Sequence, residues 1–106
     1  MLKELNPLLH SQLRLAIMSI LLSVEEADFV YLKEKTQSTA GNLSVQLDKL
    51  CEAGYISIEK SFVGKKTRTA CRITPVGHEA MKEYVATLKT YLQGLYVLSG
   101  KDPGAR

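Results

Sequence analysis

Residues 36–58, TQSTAGNLSVQLDKLCEAGYISI, decide how this chain folds. Leu43, Leu47 and Leu50 recur at i, i+4 and i+7, the spacing of one buried stripe on an amphipathic helix. Ser38 or Thr39 can cap its start, because a short side-chain oxygen satisfies an amide left unpaired in the first turn. Gly54 can end it by taking the left-handed conformation that closes helices. Opposite the leucines lie Ser38, Gly41, Asn42, Val45 and Lys49, flanked by Ser44 and Gln46; Asp48 is the one carboxylate toward that side before Glu52. A merely solvated face usually carries mixed Glu/Lys pairs. Small polar donors with few carboxylates suit a helix that presses against nucleic acid. The stretch reads as a recognition helix.

Upstream, Asp28 can cap a helix from Phe29 to about Lys35, with Phe29 and Leu32 pointing inward, and Thr36 to Ser38 form a tight turn. Two short helices joined by such a turn make a helix-turn-helix. An ordinary corner of an all-α protein has the same outline. Before it, Ser11 can cap a helix running to about Leu22, with Leu13, Ala16, Ile17, Ile20 and Leu21 at helical spacing and Leu15, Met18 and Leu22 on another side. A helix apolar on more than one side is buried in a core or in a subunit contact. Val24 to Ala27 is a short connection with room for a brief strand. Met1 to Leu9 is an apolar lead-in containing Pro7, and His10 reads as a packed or surface residue rather than a ligand.

Downstream, the two outlines separate. Tyr55 to Val63 is rich in β-branched and aromatic residues, Gly64-Lys65-Lys66 is a turn, and Thr67 to Ile73 is the returning strand. The hairpin carries Lys60, Lys65, Lys66, Arg68 and Arg72 against a single acid, Glu59. A basic hairpin directly after a helix-turn-helix is the layout of a winged helix, with the tip along phosphates or in a minor groove. Basic hairpin tips also occur for solubility alone. Thr74-Pro75 reads as a cap and first-turn proline opening a long helix. In it Met81, Val85, Leu88, Leu92 and Leu95 follow the 4-3-4-3 spacing of a coiled coil, widened by Tyr84, Tyr91 and Leu98. The domain has little core left to cover the distal half, so a second copy of the chain is the expected cover. Gly94 marks a bend or a close backbone approach.

The expected architecture is mainly α with a small β-hairpin: a winged helix-turn-helix plus a long C-terminal dimerisation helix. Residues 1–98 form one domain, its dimerisation helix at about 75–98, and 99–106 form a disordered tail. A chain of 106 residues supports one core. With 45% hydrophobic and 24% charged residues it is composed like a globular protein. A net charge of +3 is too mild to imply nucleic acid, so the placement of charge carries that reading. The N-terminus lacks the basic-then-apolar layout of a signal peptide, and no apolar run approaches the ~20 residues of a membrane span. Cys51 and Cys71 are too few and too far apart for a disulfide framework. A cytoplasmic location with no membrane partner is expected.

The runs RLAIMSILLS, DFVYLKEKT, GNLSVQLDKLCEAGYISIEKSFVGKKTRT and RITPVGHEAM together resemble a small winged-helix transcriptional regulator of the MarR/ArsR-like type, in its compact single-domain form. The resemblance spans roughly residues 5–84 and is most specific from Gly41 to Gly77. It implies a dimeric DNA-binding regulator. Carried over, recognition-helix roles fall on Thr39, Gly41, Asn42, Ser44, Val45, Gln46 and Lys49, and wing roles on Lys65, Lys66 and Arg68. Gln46 stands where many relatives have histidine, which bears on base preference. Cys71 stands where an aromatic residue is common, which bears on the base of the wing. Relatives often bind ligands near the dimer helices, and Tyr84, Tyr91 and Tyr96 would suit a small apolar or aromatic effector; they serve equally as interface packing.

Sites for chemistry are nearly empty. There is no Gly-rich phosphate loop, no paired-carboxylate constellation and no Ser/His/Asp set. Glu25-Glu26 reads as a solvated pair. Cys51, Cys71, His10 and His78 share no metal-ligand spacing, so no metal, no cofactor and no enzyme activity are expected. Both cysteines read as small residues near apolar faces. Two functional classes remain: a sequence-specific regulator of double-stranded DNA acting as a homodimer on a pseudo-palindromic operator, and a winged helix used for protein–protein assembly without DNA. The second class favours apolar or acidic residues on the second helix and the wing; this chain has Asn42, Gln46, Lys49 and a basic wing.

Overall fold

A computed structural model of the chain describes residues 2–98, with side chains as far as residue 95; the tail expected at 99–106 lies outside the described residues. The elements run α1 (Gln12–Ser23), β1 (Ala27–Asp28), α2 (Phe29–Thr36), α3 (Ala40–Glu52), β2 (Ile56–Val63), β3 (Lys66–Ile73) and α4 (Pro75–Leu98). The winged helix-turn-helix and the long C-terminal helix are as expected. The sheet has one strand more than the hairpin: the order is β1-β3-β2, all antiparallel, so β3 lies in the centre. Ala27 pairs with Cys71 and Asp28 with Ala70.

The helix ends follow from local chemistry. The Asp28 carboxylate accepts the Tyr31 amide at 2.9 Å and caps α2. Gln37 ends α2 with φ 54, a left-handed position taken by a residue that is not glycine. Thr39 caps α3, accepting the Asn42 amide at 3.2 Å. At the other end of α3, Gly54 (φ 80) donates to Cys51 O at 2.9 Å and Tyr55 to Leu50 O at 3.0 Å. That pair of bonds is a Schellman closure, the role expected of Gly54. Ser11 occupies the cap position of α1, but its side chain makes no capping bond; only its carbonyl accepts, from Leu15 N.

Thr74 ties three elements together. Its hydroxyl donates to Gly54 O at 2.6 Å and accepts the Gly77 amide at 3.0 Å, while its own amide donates to Tyr55 O. Pro75 then occupies the first helical turn of α4 as expected. The same crossing demands Gly77: a Cβ there would stand 2.1 Å from Tyr55 O. At Gly94, where a bend or a close approach is expected, no described atom of the chain lies within 4 Å of an added Cβ.

One core unites these elements. Leu9, Ile17, Met18, Leu21, Leu32, the three α3 leucines, Ile56, Cys71, Met81 and Tyr84 form it. Met81, the first of the five residues expected at a subunit seam, is therefore spent inside its own domain. Val85, Leu92 and Leu95 remain exposed, and Leu88 is half-buried. The lead-in fastens to the domain through Asn6, which accepts the amides of Leu8 and Leu9 and donates to Tyr55 Oη at 3.0 Å.

Candidate nucleic-acid interface

With Leu43, Leu47 and Leu50 sunk in the core, α3 must turn its other side outward. Gly41, Asn42, Ser44, Val45 and Lys49 are exposed there, and Gln46 is half-buried. Thr39 is exposed too, though its oxygen serves the helix cap. Ser38 is half-buried, its hydroxyl meeting that of Thr36 at 2.8 Å. Gln46 does not stand free. Its Oε1 accepts from the guanidinium of Arg14 on α1, and its Nε2 donates to Asn42 Oδ1 at 3.0 Å. Arg14 was not among the expected site residues. No local pattern ties it to a residue 32 positions away.

The wing projects beside this helix. Val63 pairs with Lys66, leaving Gly64 and Lys65 as a two-residue turn, and Gly64 takes φ 66. Lys60, Lys65 and Lys66 are exposed and, among the described residues, make no ion pair. Phe62 and Val63 are exposed as well, Phe62 at 76%. Phe62 shares the strand face of Lys60, Ile58 and Ile56 by the two-residue period. Ile58 and Lys60 line a small cavity with Ser44, Leu47 and Asp48 of α3. That row therefore borders the recognition helix, and its outermost member is aromatic. Aromatic content alone gave no sign of which strand face Phe62 would occupy.

Arg68, grouped with Lys65 and Lys66 in the wing, stands apart from them. It pairs with Ser61, three pairs back from the turn, and is not a tip residue. Its guanidinium binds Glu26 Oε2 at 3.1 Å and Asp28 Oδ2 at 3.6 Å. Arg72 binds Glu26 Oε1 at 2.8 Å and Glu25 at 3.8 Å. Glu26 is thus a bridge between two arginines and not a solvated residue. The Arg68 hydrogen bond, with the charges of Arg72 and Arg68, holds its carboxyl below the usual range against the opposing effect of burial. The uncompensated charge of the wing sits on its lysines.

A family model described as a winged helix DNA-binding domain matches residues 13–92. The chain belongs to that family. A curated relative, an uncharacterized protein of Methanocaldococcus jannaschii, is 38% identical over 76 residues, covering 72% of this chain and 83% of its own. The structure of a transcriptional regulator homologue from Pyrococcus horikoshii OT3 superposes with a TM-score of 0.78 at 30% identity, covering 85% of this chain and 89% of that one. A MarR-family transcriptional regulator from Silicibacter pomeroyi shares the fold at 18% identity, with a TM-score of 0.65 over 85% of this chain and 60% of that one. The winged helix is by family a DNA-binding domain, and the Pyrococcus horikoshii neighbour at 30% identity is a transcriptional regulator homologue.

Among the described residues no group of His, Cys, Asp and Glu is placed to hold a metal. Cys71 is fully buried, and burial chiefly, with Cys51 and Asp28 nearby, pushes its thiol up to about 11. Cys51 is exposed, contrary to the expectation of an apolar setting. Of the expected tyrosine cluster, the Tyr84 hydroxyl meets His10 Nδ1 at 3.0 Å and Tyr91 donates to Lys3 O at 2.7 Å, while the Tyr96 side chain lies outside the described residues. Among the described residues no helix is long and apolar enough to cross a membrane.

Proposed function

We propose that the chain is a homodimeric, sequence-specific binder of double-stranded DNA that regulates transcription by occupying a pseudo-palindromic operator. The observation that carries this is the exposed, carboxylate-poor face of α3 set beside a wing tipped with exposed lysines that make no ion pair among the described residues. Thr39, Gly41, Asn42, Ser44, Val45 and Lys49 would enter the major groove, with Gln46 in support. Lys60, Lys65 and Lys66 would lie against phosphates, whose contacts fix register and carry no sequence information directly. Phe62 would pack on the sugar wall beside them. Arg68 we assign to anchoring the wing base, since its charge is already answered by Glu26 and Asp28.

The dimer reading rests on α4. Its 24 residues span about 36 Å, longer than the domain needs. Val85, Leu88, Leu92 and Leu95 continue the seam beyond Met81, and Leu22 of α1 is exposed near Val85 at a groove of about 460 Å³. A second α4 would cover them. Two-fold symmetry would then set half-sites about 10 base pairs apart, or a multiple of that. A cavity of about 540 Å³ is bounded by Asn6, Tyr55, Val76 and Tyr84 and rimmed by Glu4, Glu79 and Glu83, carboxylates that disfavour the small apolar or aromatic effector there.

Selection of duplexes from a random pool by the purified protein, with its mass in solution measured alongside, tests the proposal. The expected result is one enriched pseudo-palindrome bound by two chains. Replacing Leu88 and Leu92 with lysine should give monomers, because unpaired charges would enter an apolar seam. A parent that enriches no duplex, or that sediments as a monomer at micromolar concentration, ends the corresponding half of the proposal.

A further inference from the structure

The orientation of the exposed amide on α3 is imposed from inside the protein. Arginine offers donors only. Arg14 is anchored by its Nε on Leu8 O at 2.6 Å and donates a second N–H to Gln46 Oε1. An arginine can meet only an acceptor, so Gln46 must turn its oxygen toward α1 and its Nε2 along α3. Nε2 then donates to Oδ1 of Asn42, four residues earlier on the same helix face. Asn42 has its oxygen held by Gln46, and its Nδ2 with two hydrogens is left to the exposed side. Reversing either amide would set donor against donor. The oxygen and nitrogen of an amide look alike in outline, but here a donor-only residue at the head of the chain decides both.

We infer that Arg14 and Gln46 are positioning residues that hold Asn42 with its Nδ2 donor outward, so that the protein selects guanine over adenine at the base pair Asn42 meets. This inference rests on the proposed binding of duplex DNA. In the major groove guanine shows two acceptors, N7 and O6, whereas adenine shows the N7 acceptor beside an N6 amino donor. An outward Nδ2 satisfies guanine and sets a donor against the amino group of adenine, leaving both unpaired. An asparagine free to turn would choose otherwise, since oxygen plus N–H is the pairing for adenine. Gln46 has its oxygen and one N–H already engaged, so its part is to set the polarity of Asn42.

Gln46→Glu provides the decisive variant. A carboxylate accepts from Arg14 and has only acceptors for Asn42, so the asparagine must turn its Nδ2 inward and its oxygen out. The preference should switch from guanine to adenine at that one position. Arg14→Met frees Gln46 to take either orientation and should flatten the choice, and Asn42→Ala should abolish it. Selection from randomised duplexes is run on the parent and the three variants, with thermal unfolding of each recorded. The parent should favour guanine over adenine by about tenfold at a position lost in Asn42→Ala, and Gln46→Glu should reverse the ratio. A parent that prefers adenine at that position, or a folded Gln46→Glu protein that keeps guanine, overturns this inference alone. A parent that enriches no duplex overturns the DNA reading and this inference with it.

Discussion

α3 and α4 are both amphipathic helices packed on one core, and they differ in what they leave uncovered. α3 buries all three of its leucines, and the side it turns outward is built of Gly41, Asn42, Ser44, Val45 and Lys49, with Val45 its one large exposed aliphatic side chain. α4 buries Met81 and Tyr84 but leaves Val85 at 43%, Leu92 at 46% and Leu95 at 57% exposure. The first face is mostly polar and gains from a partner chiefly through hydrogen bonds and charge, with Val45 its one aliphatic contact. The second loses about 25 cal/mol for every Å² of apolar surface left wet, so it gains from any apolar partner of matching shape. Helices of similar design thus ask for opposite partners, a polar groove and a second copy of an apolar seam.

The largest expected effect separates the two leucine sets. Leu50→Ala removes a fully buried side chain and should cost about 2–5 kcal/mol in urea unfolding. Leu92→Ala should stay within about 0.5 kcal/mol in dilute protein and instead weaken self-association as read by sedimentation. Equal losses of stability in the two variants would break the comparison.

Gly77→Ala probes the joint between the regions, where the tail of α3 meets the start of α4. A methyl group 2.1 Å from Tyr55 O has to move backbone, so a loss of about 1–3 kcal/mol is expected in the same assay. Gly94→Ala, in open space on the helix, should be neutral or stabilising.

The polar partner is tested on the wing. Lys65→Ala or Lys66→Ala should weaken binding to matched and scrambled duplexes alike and lower the log–log salt slope by about one. Asn42→Ala should leave that slope nearly unchanged while losing discrimination. A wing variant that loses discrimination instead would exchange the two roles.

The smallest effect is the pH dependence of the wing base. The carboxyl of Glu26 is depressed in the fold, so its ion pairs add stability above 4.5, its ordinary value, and that stability is lost as pH falls through the depressed one. Urea midpoints of the parent and Glu26→Gln should therefore differ at pH 7 and converge in strong acid. A gap that persists at low pH would show that Glu26 acts by packing, not by charge.

Much of this protein was decided locally. The leucine spacing in α3, the cap at Asp28, the closure at Gly54 and the Thr74-Pro75 start of α4 each depend on residues within a turn or two of one another, so pattern alone locates them. What tertiary structure decided joins residues far apart in the chain. Ala27 and Asp28 become a strand only because β3 lies beside them. Arg68 looks like a wing cation until Glu26 and Asp28 are brought to it, and Arg14 is an ordinary helix arginine until Gln46 arrives from 32 residues away. Met81 begins a regular apolar heptad, yet the fold spends it on its own core and leaves Val85, Leu92 and Leu95 for a partner. Periodicity tells which residues share a face, because it is a property of one helix. What that face meets depends on where the other elements stop, and a donor or a charge takes its meaning only from the group set opposite it.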